Sequence, residues 1–158
     1  KTTTQTKKQT SPQTKQVQNK TTPKKVETKQ TKQTQPKKMT QAEEEIAWNI
    51  WRSNLQNQIM RDVNIPPVEL GTVFRFTFNV DKFGHVSNVH VWSQNPAYTP
   101  LAIERFAPVI RSYQGKSILN FPAGSERLKV DFDGKLKVSN AQKYSTPQDF
   151  NDYEKIKK

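Results

Sequence analysis

The chain has 158 residues and no Cys, with a formal net charge of +12, 32% hydrophobic residues and a mean hydropathy of −0.93. That balance is too polar for one packed globule of this length, so part of the chain is expected to stay unfolded. The absence of Cys excludes a disulfide framework and a thiolate metal site, and no apolar run approaches the roughly 18–20 residues that span a bilayer.

Residues 1–39 hold eleven Lys against the single acid Glu27, which assigns +10 of the charge to this stretch and only +2 to residues 40–158. Thr, Gln, Lys, Pro, Ser and Asn make up nearly all of it, and Val17 and Val26 are its only aliphatics before Met39. Such a segment cannot bury enough apolar surface to offset a backbone ordering entropy of about 1–2 kcal/mol per residue. Imperfect Lys-Gln-Thr repeats at Lys8, Lys29 and Lys32, with Pro12, Pro23 and Pro36 between them, mark low complexity. Residues 1–39 are expected to be an extended basic tether.

Thr40-Gln41-Ala42-Glu43 is a capping box. Trp48, Trp51, Leu55, Ile59 and Val63 then recur every three or four residues, which predicts a helix over 40–63 ended by Pro66-Pro67. Arg52, Asn54, Gln56 and Asn57 are expected away from its apolar stripe. Phe74, Phe76, Phe78 and Val80 alternate with polar residues as a half-buried strand, Asp81-Lys82-Phe83-Gly84 reads as a tight turn, and Val86–Trp92 is the return strand. Thr99-Pro100 opens a second amphipathic helix that ends near Gly115, with a bend or break expected at Pro108. Leu128, Val130 and Phe132 define a third strand, after which Asp133-Gly134 suggests a turn into a short arm through Leu136 and Val138. Residues 141–158 return to polar composition and are expected to form a flexible tail. The reading is α+β: a domain over 40–140 with a small antiparallel sheet of about three strands and two helices, in the order α-β-β-α-β.

The residues that carry chemistry are sparse. His85 falls beside the first turn and His90 on a strand, without metal-ligand spacing. Asp131 and Asp133 share the polar face of one strand, Glu43-Glu44-Glu45 suits a helix N-terminus, and Gly124-Ser125-Glu126 lacks the spacing of a nucleophile elbow. Nothing assembles a nucleophile, a base and oxyanion donors, so the expectation is a non-enzymatic protein with no metal or cofactor. The tether contains no aromatic residue for base stacking and no Arg for bidentate phosphate contacts. It is expected to touch polyanions weakly and non-specifically, without a specific nucleic-acid function.

The stretch Phe76-Thr77-Phe78-Asn79-Val80-Asp81-Lys82-Phe83-Gly84-His85-Val86, the exit Val89-His90-Val91-Trp92-Ser93-Gln94-Asn95, and Phe121-Pro122 ahead of Leu128–Phe132 form a pattern with the leading helix at Trp51–Ile59. Over about residues 46–138 this pattern resembles the C-terminal periplasmic domain shared by TolA and TonB. The resemblance implies a periplasmic protein anchored in the inner membrane by a segment upstream of Lys1. It further implies coupling of an inner-membrane complex to an outer-membrane or periplasmic protein partner, in the manner of an energy transducer. It also implies capture of a partner segment at an exposed strand edge, and a sheet of about three strands offers such an edge on physical grounds alone. The candidate edge is Arg127, Leu128, Lys129, Val130, Asp131 and Phe132, and Trp92 is a secondary partner-binding candidate, with core filling as its ordinary role. Two other readings stand beside this one: a component of another envelope or secretion assembly with the same fold, and a basic-tailed nucleic-acid binder.

Overall fold

Thr40 starts the first helix as the sequence predicts: its hydroxyl accepts the Glu43 N–H at 3.2 Å and the Glu43 carboxylate accepts the Thr40 N–H at 2.8 Å. The computed structural model describes residues 37–141 and 143–152; residues 1–36 of the tether expected over 1–39, and residues 153–158 of the expected tail, lie outside the described part. Helix α1 spans Gln41–Asp62, strand β1 Val73–Asp81, strand β2 Val86–Ser93, helix α2 Thr99–Ser112 and strand β3 Lys129–Lys137, with 3-10 turns at Pro96–Tyr98, Ser117–Leu119 and Pro147–Asp149. The sheet is wholly antiparallel, in the order β2-β1-β3. The protein is therefore α+β, two helices and a three-stranded antiparallel sheet.

Alternation in β1 buries Phe74, Phe76, Phe78 and Val80 on one face, and both helices pack there. The stripe Trp48, Trp51, Leu55, Ile59 and Val63 of α1 enters this core as expected, together with Ala102, Phe106 and Ile110 of α2. Aromatic rings bind the layers. Phe76 stacks on Phe106 at 5.4 Å between centroids, Phe78 on Phe132 at 5.0 Å, and Trp48 meets Phe121 edge-on at 4.8 Å. Tyr113 at the end of α2 donates to Asp62 Oδ2 at 2.7 Å, joining the last turns of the two helices. Hydrogen bonds from Gln58 and then Tyr113 hold the Asp62 carboxyl below its ordinary range.

Four expectations are corrected. Helix α2 continues unbroken through Pro108. That residue is exposed, so the carbonyl one turn earlier that loses its partner is left to water. Asp133-Gly134 is not a turn, because β3 runs straight through it and pairs with β1 from Val73↔Lys137 to Asp81↔Lys129. Gly134 is needed for closeness: a Cβ there would lie 2.3 Å from the Phe76 ring and 2.4 Å from Gln56 Oε1. In the segment expected to be a flexible tail, residues 143–152 pack against α1, with Asn57 and Ser145 exchanging two hydrogen bonds at 2.9 and 2.8 Å. Finally, Arg52 and Gln56 of α1 are only 1% and 2% exposed.

The turn between β1 and β2 rests on Asp81, whose Oδ1 accepts the Phe83 and His85 N–H groups at 2.9 and 3.0 Å. Gly84 takes φ +80. Further along β2 the register slips between Thr77 and Asn79, and Asn88 adopts φ 52, a bulge that bends the outer strand.

Two tests follow from this packing. Replacing Gly134 with Ala forces the Phe76 ring or α1 aside and is expected to lower stability by about 1–3 kcal/mol, read as a shifted urea midpoint. The Asp81 carboxyl is held below its ordinary value of 3.8, first by the backbone bond from His85. A depressed carboxylate contributes stability that is present above the unfolded value and lost as pH falls through the folded one. The Phe83 and His85 amides are therefore expected to lose protection only below pH 3.8 in an NMR titration; loss nearer neutrality contradicts this account.

Candidate protein-binding site

Alternation along β3 decides what its rim presents. In an antiparallel strand the N–H and C=O of one residue point the same way, and successive residues point to opposite sides. Lys82 N–H donates to the Leu128 carbonyl and Val138 N–H to the Thr72 carbonyl, each at 2.9 Å. The even-numbered residues of β3 therefore face β1. Lys129, Asp131, Asp133, Lys135 and Lys137 turn their backbone groups outward along the edge of the sheet.

Part of this edge is occupied by α1. Arg52 Nη1 donates to the Asp131 carbonyl and Gln56 Nε2 to the Lys135 carbonyl, each at 2.6 Å. Spaced one helical turn apart, the two side chains reach carbonyls on the rim that lie two outward positions apart. Among the described residues, no protein group bonds the backbone of Asp133 or Lys137. A shallow cavity of about 470 Å³ opens beside Asp133, lined by Gln56, Asp133, Gly134 and Lys135 from one side and by Ser145 and Phe150 from the other.

The buried guanidinium of Arg52 requires a counter-charge, since an uncompensated buried ion costs several kcal/mol. Asp152, itself 2% exposed, supplies it: its Oδ1 lies 3.7 Å from Arg52 Nη2 and accepts from Arg127 Nη1 at 2.9 Å. A second contact joins Arg127 Nη2 to Asp152 Oδ2. Arg127 also lies 4.8 Å above the Trp48 ring and 3.3 Å from Glu44. The end of the described chain is thereby fastened to α1 and to the start of β3.

Of the six residues proposed from the sequence, Lys129 and Asp131 place backbone groups on the rim. Val130 and Phe132 face β1 with their backbones and fill the core with their side chains. Leu128 is exposed, while Arg127 is drawn into the charge cluster. The usable rim continues beyond the proposed stretch to Lys137. Trp92 is no core residue: opposite Arg75 on the solvent face of the sheet, its ring lies 4.8 Å from that of His90 and 5.8 Å from the Arg75 guanidinium. On the polar face of β3, Asp131 is bonded by Asn79, and Asp133 lies 3.4 Å from Arg75. His85 binds Asp81 at 2.8 Å. Among the described residues no three metal-ligating side chains come together, and no helix is long and apolar enough to cross a membrane.

What the fold and this rim define is an α+β domain with both helices on one face of a three-stranded sheet and β3 at its edge. Comparison of the chain with protein families, curated proteins and solved structures finds no match.

The site predicts its own sensitivity. Arg52→Ala removes the donor to Asp131 and one partner of a buried carboxylate, and is expected to cost about 3–5 kcal/mol in denaturant unfolding. Arg52→Lys is expected to recover only part of the loss, because an ammonium cannot reproduce the planar fork that spans a carbonyl and a carboxylate.

Proposed function

We propose that this chain is a non-enzymatic, periplasmic protein-binding module on a basic tether, which couples an inner-membrane assembly to an outer-membrane or periplasmic partner by adding a partner strand to β3. The observation that carries the reading is the rim itself. β3 is an edge strand whose outward groups at Asp133 and Lys137 have no protein partner among the described residues, and a sheet edge of that kind pairs with an extended segment through its main chain. The resemblance to the TolA and TonB C-terminal domains supports the envelope setting. So does the concentration of positive charge in residues 1–39, which leaves the folded part nearly neutral and suits a spacer more than a polyanion reader.

The direction of the backbone groups selects the variant. Pro at Val130 would break the ladder to β1, because that N–H faces inward. At Asp133 the N–H faces outward, where an edge strand tolerates Pro. Asp133→Pro is expected to weaken capture of a partner from envelope extract by about tenfold or more while the circular dichroism spectrum is retained. Capture at the parental level by the folded variant removes the strand-addition reading.

A further inference from the structure

The edge proposed for the partner already has a neighbour, and that neighbour belongs to this chain. Residues 145–152 run along α1 beside the outer rim of β3 in an irregular path with one 3-10 turn at Pro147–Asp149. Three kinds of contact hold them. The Ser145 backbone is read by the Asn57 amide, which donates to its carbonyl and accepts its N–H, as a neighbouring strand would. Phe150 is half-buried with its ring 6.5 Å from that of Phe132. The Asp152 carboxylate is buried against Arg127 and Arg52. Asn57, Phe132 and the two arginines therefore make a receptor surface for an extended segment: a backbone reader at one end, an aromatic step between, and a cationic clamp at the other.

Resting on the strand-addition reading above, we propose that residues 145–152 occupy in cis the groove that the partner enters, and that the partner segment shares their chemistry. It is an extended peptide with an aromatic residue followed by a carboxylate, and it gains access by displacing residues 145–152. Charge complementarity fixes the sign of the occupant. A neutral or basic segment would take the Asp152 carboxylate from the buried Arg52 while Arg127 keeps Glu44, and a buried guanidinium demands an anion. The mode of holding fits an exchangeable occupant. Residues 143–152 add no strand to the sheet, and most of their side chains remain exposed.

The probe is a fluorescently labelled synthetic peptide spanning residues 143–152, titrated by anisotropy against the full chain and against a chain ending at Ala141. The peptide is expected to bind the shortened chain and to bind the full chain about tenfold more weakly or worse, since the cis segment competes at high effective concentration. A peptide carrying Asp152→Asn is expected to lose about tenfold or more, the scale on which truncating a buried charge pair acts. Equal binding to both chains, equal binding of a composition-matched scrambled peptide, or no binding to a shortened chain with native circular dichroism overturns the proposal.

If the shortened chain does not fold, the full chain carrying Asp152→Asn provides the reading. Amide exchange at Ser145 is expected to rise about tenfold or more with exchange in β1 unchanged, as a local opening requires; an unchanged Ser145 rate overturns the proposal. The two readings fail separately. Peptide binding in trans together with parental envelope capture by Asp133→Pro keeps the groove and removes strand addition. Lost capture without peptide binding does the reverse.

Discussion

A carbonyl on the rim of a sheet must find a donor if anything is to be packed over it. Most of this domain's less ordinary features descend from how that constraint is met along β3. Arg52 and Gln56 supply the donors from α1, which requires that helix to lie against the edge strand and to bury two polar side chains. Burying a guanidinium in turn requires a carboxylate out of water, and the carboxylate comes from Asp152, far along the chain. Asp152 cannot be placed there unless residues 143–151 follow α1 past Asn57. One row of outward-facing carbonyls thus organises a helix, an edge strand and the end of the described chain.

The same constraint explains Gly134. For Gln56 to reach the Lys135 carbonyl, α1 must approach β3 closely, and the Phe76 ring from the central strand already fills the space beneath. No side chain fits between them. The residue is fixed by crowding from both sides, and its backbone is ordinary strand.

These relations mark where sequence reading succeeds and where it stops. The apolar period of α1, the alternation in β1, the return strand β2, the Asp81–Gly84 turn and the capping box are all legible, because each is a local pattern whose physics lies within one element or its turn. Arg52 and Gln56 were not. Helical periodicity sorts residues by polarity, and it assigns a polar residue to solvent unless the partner that needs its hydrogen bond is known. Asp-Gly suggested a turn because turn chemistry is local, whereas the ring that demands Gly134 is 58 residues away in sequence. One signal was available: Phe132, Gly134 and Leu136 continue the inward series of β3 while Asp133, Lys135 and Lys137 continue the outward one. Composition likewise concealed residues 143–152, whose attachment depends on Asn57, Phe150 and Asp152 and on no apolar stripe. The candidate edge Arg127–Phe132 overlaps the start of β3, and the outward backbone groups of that strand continue past it through Asp133, Lys135 and Lys137.

The bulge at Asn88 makes the two rims of the sheet unequal. A three-stranded sheet has two rims, and a straight rim on each side would let copies or partners stack without limit. On β2 the ladder slips beside Asn88, and the Ser93 N–H is already given to Thr99 Oγ1 at 3.2 Å. That side is bent and partly closed to a continuous added strand. Of the two rims, β3 therefore offers the longer regular row of outward backbone groups.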